Sequence, residues 1–169
     1  MSHSMTPPIH LAGAAAALVL LATGCTPEPR VVDTFFDEVD AAGVTLLDAE
    51  IDDGDLTVVG DDSVDVVEAR VDLRTTKTGD GKDEDAIDAV RIEMRDDGNG
   101  AAIVRVWMDP AVANYTADVT VTMPTTLAVL ALVQDGDVQI TDTAGVDLDS
   151  RGDNAIVGNQ IGDVVVVDK

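Results

Sequence analysis

The chain has 169 residues and a formal net charge of −23, with 33 Asp and Glu against 10 Lys and Arg. This charge disfavours nucleic acid and anionic lipid surfaces as partners, because both repel it. The apolar content of 46% argues against disorder, since disordered chains combine high charge with low hydrophobicity. Aromatic residues make up only 2%, so aliphatic side chains must fill the core, and Val and Ile favour strands.

The first 24 residues contain no Asp, Glu, Lys or Arg. Within them, Leu11–Leu21 is an uninterrupted apolar run. It is shorter than the roughly 20 residues that a transmembrane helix needs, but it has the length of a signal-peptide core. The run leads directly into the sequence Ala-Thr-Gly-Cys, which ends at Cys25.

This segment resembles the lipobox of bacterial lipoproteins, in which small residues precede a cysteine that is diacylated, cleaved and acylated again. The resemblance implies signal cleavage between Gly24 and Cys25, and a lipid bilayer anchor through acylated (palmitate-type) Cys25. Cys25 is the only cysteine, which favours a lipid over a disulfide. Ala22 stands where the lipobox usually has Leu, and the first ten residues lack Lys and Arg. The alternative is an ordinary signal peptide with an unmodified cysteine.

The predicted organisation is a lipoprotein signal peptide over 1–24, a lipid anchor and tether over 25–35, and an all-β domain over 36–169. Thr26, in place of Asp, fits outer-membrane sorting in the Gram-negative lipoproteins that the segment resembles. We therefore expect a protein of the cell envelope, lipid-anchored at the outer membrane.

From Val44 onward the apolar residues recur with a period of two, which predicts strands. A change of phase between Val66 and Val67 predicts a β-bulge, and Pro124 ends a strand because it lacks the N–H that a ladder requires. One short helix is predicted around Asp83 to Val90. The strands predicted from this alternation are Leu56–Val58, Val64–Leu73, Val90–Met94, Ile103–Trp107 and Ala117–Met123.

A Gly-Asp pair followed by alternating apolar residues recurs along the chain. It begins at Gly54, Gly136, Gly152 and Gly162. Short strands separated by such turns are typical of stacked β-solenoid rungs, each of which buries its apolar face against its neighbours. The predicted fold is therefore all-β and short-stranded, with parallel β-helix-like rungs in the C-terminal third; a β-sandwich is the alternative.

The strand Val119–Met123 with its terminal Pro124, then Leu127–Val129 and the Gly-Asp repeats, looks like the bacterial putative-adhesin β-solenoid domains. This resemblance extends over about residues 36 to 168. It implies the fold more than the function, because the adhesin label of that family is itself largely inferred.

Both histidines, His3 and His10, lie in the predicted signal segment, and the only cysteine is the predicted anchor. Ser-His and Cys-His catalysis and ordinary His or Cys zinc sites are therefore excluded from the mature chain. Only carboxylates remain for acid-base catalysis, so a glycosidase-type carboxylate pair is the remaining enzymatic alternative. The aromatic platforms that usually hold a sugar are nearly absent, and no two acids stand out. We expect no catalytic residues, no metal and no cofactor. The predicted function is a non-enzymatic structural or adhesive domain whose protein or surface partner the sequence does not identify.

The alternative function is a cation-binding or soluble-ligand-binding β-sandwich lipoprotein, with calcium held by clustered acids. Such a site needs six to eight oxygen ligands, and neither candidate cluster matches the EF-hand loop. Solvated turn residues explain the same acids. The two candidate clusters are Asp52, Asp53 and Asp55, and Asp80, Asp83 and Asp85.

Four consecutive valines, Val164–Val167, form a strong β segment with no further rung after it. An exposed edge of this kind pairs readily with another chain. We expect a loop to cover this C-terminal strand, or the strand to mediate self-association.

Overall fold

The computed structural model describes residues 29–75, 83–109, 114–152 and 154–168. These residues form an all-β protein with one short helix, as the alternating pattern predicts. The strands are β1 (Arg30–Asp40), β2 (Leu46–Ile51), β3 (Leu56–Gly60), β4 (Val66–Thr75), β5 (Val90–Asp96), β6 (Ala101–Met108), β7 (Tyr115–Met123), β8 (Ala128–Val133), β9 (Val138–Thr141), β10 (Gly145–Ser150), β11 (Ala155–Gly158) and β12 (Val164–Asp168), and α1 is Asp83–Ala89.

The strands form two mixed six-stranded sheets, and neither closes into a barrel. The first sheet has the order β1-β4-β7-β3-β9-β11, and the second has the order β12-β10-β8-β2-β6-β5. One end of the molecule therefore presents the edges β1 and β5, and the other end presents the edges β11 and β12.

The end that carries β1 and β5 is antiparallel. Strand β4 pairs with β1 on one side and with β7 on the other, and β5 pairs with β6. All three pairings are antiparallel, and they join long strands. The helix α1 precedes β5 and buries Ala86 and Ala89.

The rest of both sheets is parallel. In the second sheet β6, β2, β8, β10 and β12 are neighbours, and in the first sheet β7, β3, β9 and β11 are neighbours. From β6 to β12 the chain changes sheet after every strand. Connections are short: residues 134–137 link β8 to β9, and residues 142–144 link β9 to β10.

A single core lies between the sheets and is built from side chains in register. Leu47 lies beside Val129, which lies beside Val146, and all three are buried. In the other sheet Val58 and Ile140 are neighbours and are fully buried. Period-two alternation therefore places one aliphatic residue of each strand in the same inward row.

Two predictions about local structure have different outcomes. The helix predicted around Asp83 to Val90 is confirmed as Asp83–Ala89. The β-bulge predicted between Val66 and Val67 is wrong, because β4 begins at Val66 and keeps its register with β1 through both residues. The register shift lies instead in β1, between Val31 and Asp33.

The segment that the sequence analysis assigns to the tether is partly in a strand, since β1 begins at Arg30. Within the described part of the chain, no helix has both the length and the apolar character needed to cross a membrane.

Candidate functional site

The Gly-Asp repeat forms one corner of the molecule, where the chain crosses from the second sheet into the first. We call Gly54, Asp55, Gly136, Asp137 and Gly152 the Gly-Asp corner. Its glycines stack on one another's backbones. A Cβ on Gly136 would lie 2.2 Å from the carbonyl oxygen of Gly54, and one on Gly152 would lie 1.7 Å from that of Gly136. Only glycine allows the turns to approach this closely.

The aspartates of the corner join successive strands through a carboxylate ladder. The Asp118 carboxylate accepts a hydrogen bond from the Asp55 backbone N–H at 3.2 Å. The Asp55 carboxylate accepts one from the Asp137 N–H at 2.8 Å. The Asp137 carboxylate in turn accepts one from the Asn154 side-chain amide at 3.1 Å. These carboxylates therefore add to the backbone hydrogen bonds between successive turns, such as that from the Gly54 N–H to the Asp135 carbonyl oxygen at 2.9 Å.

An open cleft of 400 Å³ lies beside the Gly-Asp corner, and its lining includes Asp53, Asp135, Asp118 and Arg74. The Arg74 Nε forms an ion pair with Asp118 at 2.8 Å. Partial burial raises the pKa of Asp53, and the carboxylates of Asp135, Asp52 and Asp118 raise it further. The cleft is thus an acidic surface with one adjacent cation.

Burial also raises the pKa of Asp118, although the Asp55 N–H and the Arg74 guanidinium oppose that effect. These two groups stabilise the charged form of the Asp118 carboxylate, whereas burial and the nearby Asp55 and Asp72 disfavour it.

The acids of the first candidate calcium cluster do not form a metal site. Across the described ranges, no group of three or more His, Cys, Asp or Glu side chains is placed to hold a metal ion. Asp53 and Asp55 both line the cleft, and Asp55 also belongs to the ladder. Asp52 lines a separate depression of 260 Å³ with Arg105 and Trp107.

Of the second candidate cluster, the structure describes Asp83 and Asp85. Asp83 binds Arg30 at 2.7 Å and accepts a hydrogen bond from the Tyr115 hydroxyl at 3.1 Å. These contacts lower the pKa of Asp83, with the Arg30 hydrogen bond the main cause. Asp80 lies outside the described residues, as do Gly24 and Cys25, so the lipidation and cleavage sites stay predictions.

The fourth Gly-Asp pair belongs to the opposite corner. A Cβ on Gly162 would lie 2.0 Å from the carbonyl oxygen of Ala144, in the connection before β10. Gly60 shows the same kind of contact there, with its Cβ position 1.7 Å from the Asp142 oxygen. Both corners therefore require glycine, and among the described residues the carboxylate ladder lies at the first corner.

Three members of this region are not predicted from the sequence: Asp118, Asp135 and Arg74. A signal for Asp135 exists, because Asp135-Gly136-Asp137 repeats the tripeptide that starts at Asp53. No local signal marks Asp118 or Arg74, which reach the corner through the long-range pairing of β4 with β7 and of β7 with β3.

No protein-family model matches this sequence, and no curated protein is significantly similar to it. Among solved structures, it is similar to a putative cell adhesion protein from Clostridium sporogenes (9% identity, TM-score 0.45, covering 81% of this chain and 99% of that one). It is also similar to a putative adhesin (13%, 0.39, 79% and 65%) and a putative lipid binding protein (9%, 0.38, 80% and 67%), both from Parabacteroides distasonis. Identities and TM-scores this low do not assign a function.

Proposed function

We propose that this chain is a lipoprotein of the cell envelope, anchored at the outer membrane through acylated Cys25, whose β-solenoid domain has a structural or adhesive role and no enzymatic activity. The observation that carries the role of the domain is the carboxylate ladder. The carboxylates of the ladder accept hydrogen bonds from backbone and side-chain amide groups of neighbouring turns, which is a structural role.

The solenoid interpretation is supported by the order of the strands. The pairs β6–β7, β2–β3, β8–β9 and β10–β11 each contribute one strand to each sheet. Successive pairs stack through parallel, in-register ladders in both sheets. Each pair then acts as one rung, and the glycines of the two corners let adjacent rungs approach.

The absence of enzymatic activity is supported by the chemistry of the described acids. Asp118 pairs with Arg74, and Asp83 pairs with Arg30. Neither contact places a carboxylate beside a nucleophile or a histidine. The aromatic side chains Phe36 and Trp107 are exposed but lie on different sheets, so they form no common platform for a sugar.

The anchor is supported by the sequence at Cys25, and mass spectrometry tests it. The full chain is expressed in a lipoprotein-processing bacterium, and membrane protein is analysed intact and after trypsin. We expect a mature N-terminus at Cys25 with the added mass of a diacylglyceryl group and a further acyl chain.

Cys25→Ser is the control variant, because it removes the thiol that accepts lipid and leaves the domain unchanged. We expect it to lose the acyl mass and to retain residues 1–24, because cleavage follows diacylation of the cysteine. A wild-type chain that is cleaved elsewhere, or that carries an unmodified Cys25, contradicts the anchor.

A further inference from the structure

The end of the molecule formed by β11 and β12 is unusually apolar. Among the described residues, eleven large hydrophobic side chains are exposed, and six of them lie at this end. These six are Ile156 (60% exposed), Ile161 (82%) and the four valines Val164 to Val167 (40–51%). An apolar cluster of this kind on a strongly charged protein marks an interaction surface.

Two of the valines continue the core. Val164 is in register with the buried Val146, and Val166 is in register with the buried Leu148. In-register parallel residues point to the same face, so Val164 and Val166 face the space between the sheets. Each is nevertheless 45% exposed, because the opposite sheet ends one strand earlier, at β11.

The end of the molecule is therefore a step: β12 projects beyond β11 by one strand. Because the connections between the sheets are only three to six residues long, strands in the two sheets run in opposite directions. A second copy can be related to the first by a two-fold axis that runs parallel to the strands, midway between the two sheets. This rotation places β12 of the second copy in the vacant position beside β11 of the first. There β12 lies antiparallel to β11, and both steps are filled at once.

We propose that the chain forms a closed two-fold dimer in which β12 of each copy adds to the β11 edge of the other. The two sheets then continue through the interface, and the inward Val164 and Val166 of the two copies face one another. On the outer face, Ile156 of one copy lies beside the outward Val165 and Val167 of the second. Such an interface is isologous, so it closes without further growth.

The charges of this end favour a second copy as the occupant. Ala155–Gly158 and Val164–Val167 contain no charged residue, although the chain carries a net charge of −23. Antiparallel pairing brings Asp163 toward the neutral Asn159 of the second copy instead of toward another acid. Within Ala155–Gly158 and Val164–Val167, the step therefore pairs apolar strand segments that carry no charge.

The other end of the molecule does not offer an equivalent surface. Its edge strand β1 carries four acids, at positions 33, 37, 38 and 40. Head-to-tail stacking would place these carboxylates against the apolar step, which costs desolvation energy. A two-fold dimer through β11 and β12 is therefore favoured over a filament. This proposal does not depend on the anchor at Cys25.

Sedimentation velocity of the full chain, in a detergent matched to the solvent density, tests the dimer. Raising NaCl from about 0.1 M to about 1 M shortens the Debye length from about 10 Å to about 3 Å, so repulsion between copies falls and we expect tighter association. Val165→Lys should weaken the dimer at least about tenfold, because it places a charge on the pairing edge.

Leu130→Lys is the matched control, since Leu130 lies in the same outward row as Val165, two strands away, and is 40% exposed. We expect it to leave the dimer intact, with circular dichroism confirming that both variants fold. A monomer at both salt concentrations, or a dimer that Val165→Lys does not weaken, would overturn the proposal.

Cysteine cross-linking tests the orientation independently. In the proposed dimer, position 156 of one copy lies near position 167 of the other, but neither position lies near its own equivalent. Ile156→Cys combined with Val167→Cys should therefore cross-link two copies much faster than either single substitution. Equal cross-linking by Val167→Cys alone would indicate β12-to-β12 pairing and would refute this arrangement.

Discussion

At the antiparallel end of the molecule, β1, β4 and β5 are strands of seven to eleven residues, and arginines pair with acids along their outer faces. Arg70 binds Asp72 at 3.0 Å and lies 5.8 Å from the centre of the Phe36 ring. At the parallel end, β9 to β12 are only four to six residues long. Glycine contacts and the carboxylate ladder join these strands where they turn.

The antiparallel and parallel ends of the molecule therefore stabilise their shared core in different ways. Long antiparallel strands gain stability from many ladder hydrogen bonds, and solvent screening at the exposed arginines limits what their ion pairs add. Short parallel strands have few ladder bonds each, so they depend on how closely the connections stack. We therefore expect the parallel end to be sensitive at its corners and the antiparallel end to be sensitive in its core.

The largest expected effect is at the Gly-Asp corner. Gly136→Ala places a Cβ 2.2 Å from the Gly54 oxygen, at a φ of +136° that L residues rarely adopt. We expect a loss of about 4 kcal/mol or more in the free energy of unfolding, since the backbone of the adjacent turn must move. Urea denaturation followed by circular dichroism measures it.

Gly98→Ala is the control for this substitution. Gly98 also has a positive φ, +74°, but no atom lies within 4 Å of its Cβ position. This substitution should lower the free energy of unfolding by only about 1 kcal/mol, which is typical of an alanine in the left-handed backbone conformation. Equal losses of unfolding free energy in the two variants would show that the positive φ alone makes glycine necessary at position 136. The close approach of the neighbouring turn would then contribute nothing.

The same contrast explains which parts of the fold the sequence predicts. Alternation along β7 and β3 specifies the inward residues, because each strand needs only its own period of two. The pairing of Asp118 with Asp55 depends on register between strands 63 positions apart in the chain. Likewise, the ion pair of Arg74 with Asp118 has no signature in the residues near either one.

The erroneous bulge at Val66 and Val67 has a related cause. The change of phase there reflects the start of β4, whose preceding residues belong to a turn. A change of phase inside a strand and one at its boundary look alike in a single sequence. Only the continuous pairing of β4 with β1 distinguishes them.

Core substitutions at the two ends of the molecule should have a somewhat smaller effect on the free energy of unfolding. Leu73 in β4 and Leu148 in β10 are both fully buried. Replacing either with Ala should cost about 3 kcal/mol, from lost burial and the cavity left behind. Because β10 pairs with β8 and β12 and is separated from β6 by two strands, Leu148→Ala should lower amide protection in β10 and β12 more than in β6.

Leu73→Ala should lower protection in β1, β4 and β7 most, because β4 lies between β1 and β7 in the first sheet. Native-state hydrogen exchange with peptide-level mass spectrometry distinguishes the two patterns. If Leu148→Ala reduces protection uniformly, the parallel end does not unfold as a separate unit.

The smallest expected effect concerns the charge of the cleft. Since the folded-state pKa of Asp53 is raised above 3.8, its ionised form destabilises the folded state at neutral pH. Asp53→Asn should therefore raise the melting temperature at pH 7. This gain should shrink as the pH falls through the folded-state pKa, and it should vanish below the unfolded-state pKa, where both forms are neutral.

Asp147→Asn is the matched control, because it removes the same charge from an exposed position on β10, away from the cleft. A comparable gain in that variant would mean that net charge, and not the crowding of Asp53 by Asp135 and Asp118, causes the effect. The same two variants also test whether the cleft binds calcium. If the ion stabilises wild type and Asp147→Asn but not Asp53→Asn, the cleft binds a cation and the purely structural role of its acids is wrong.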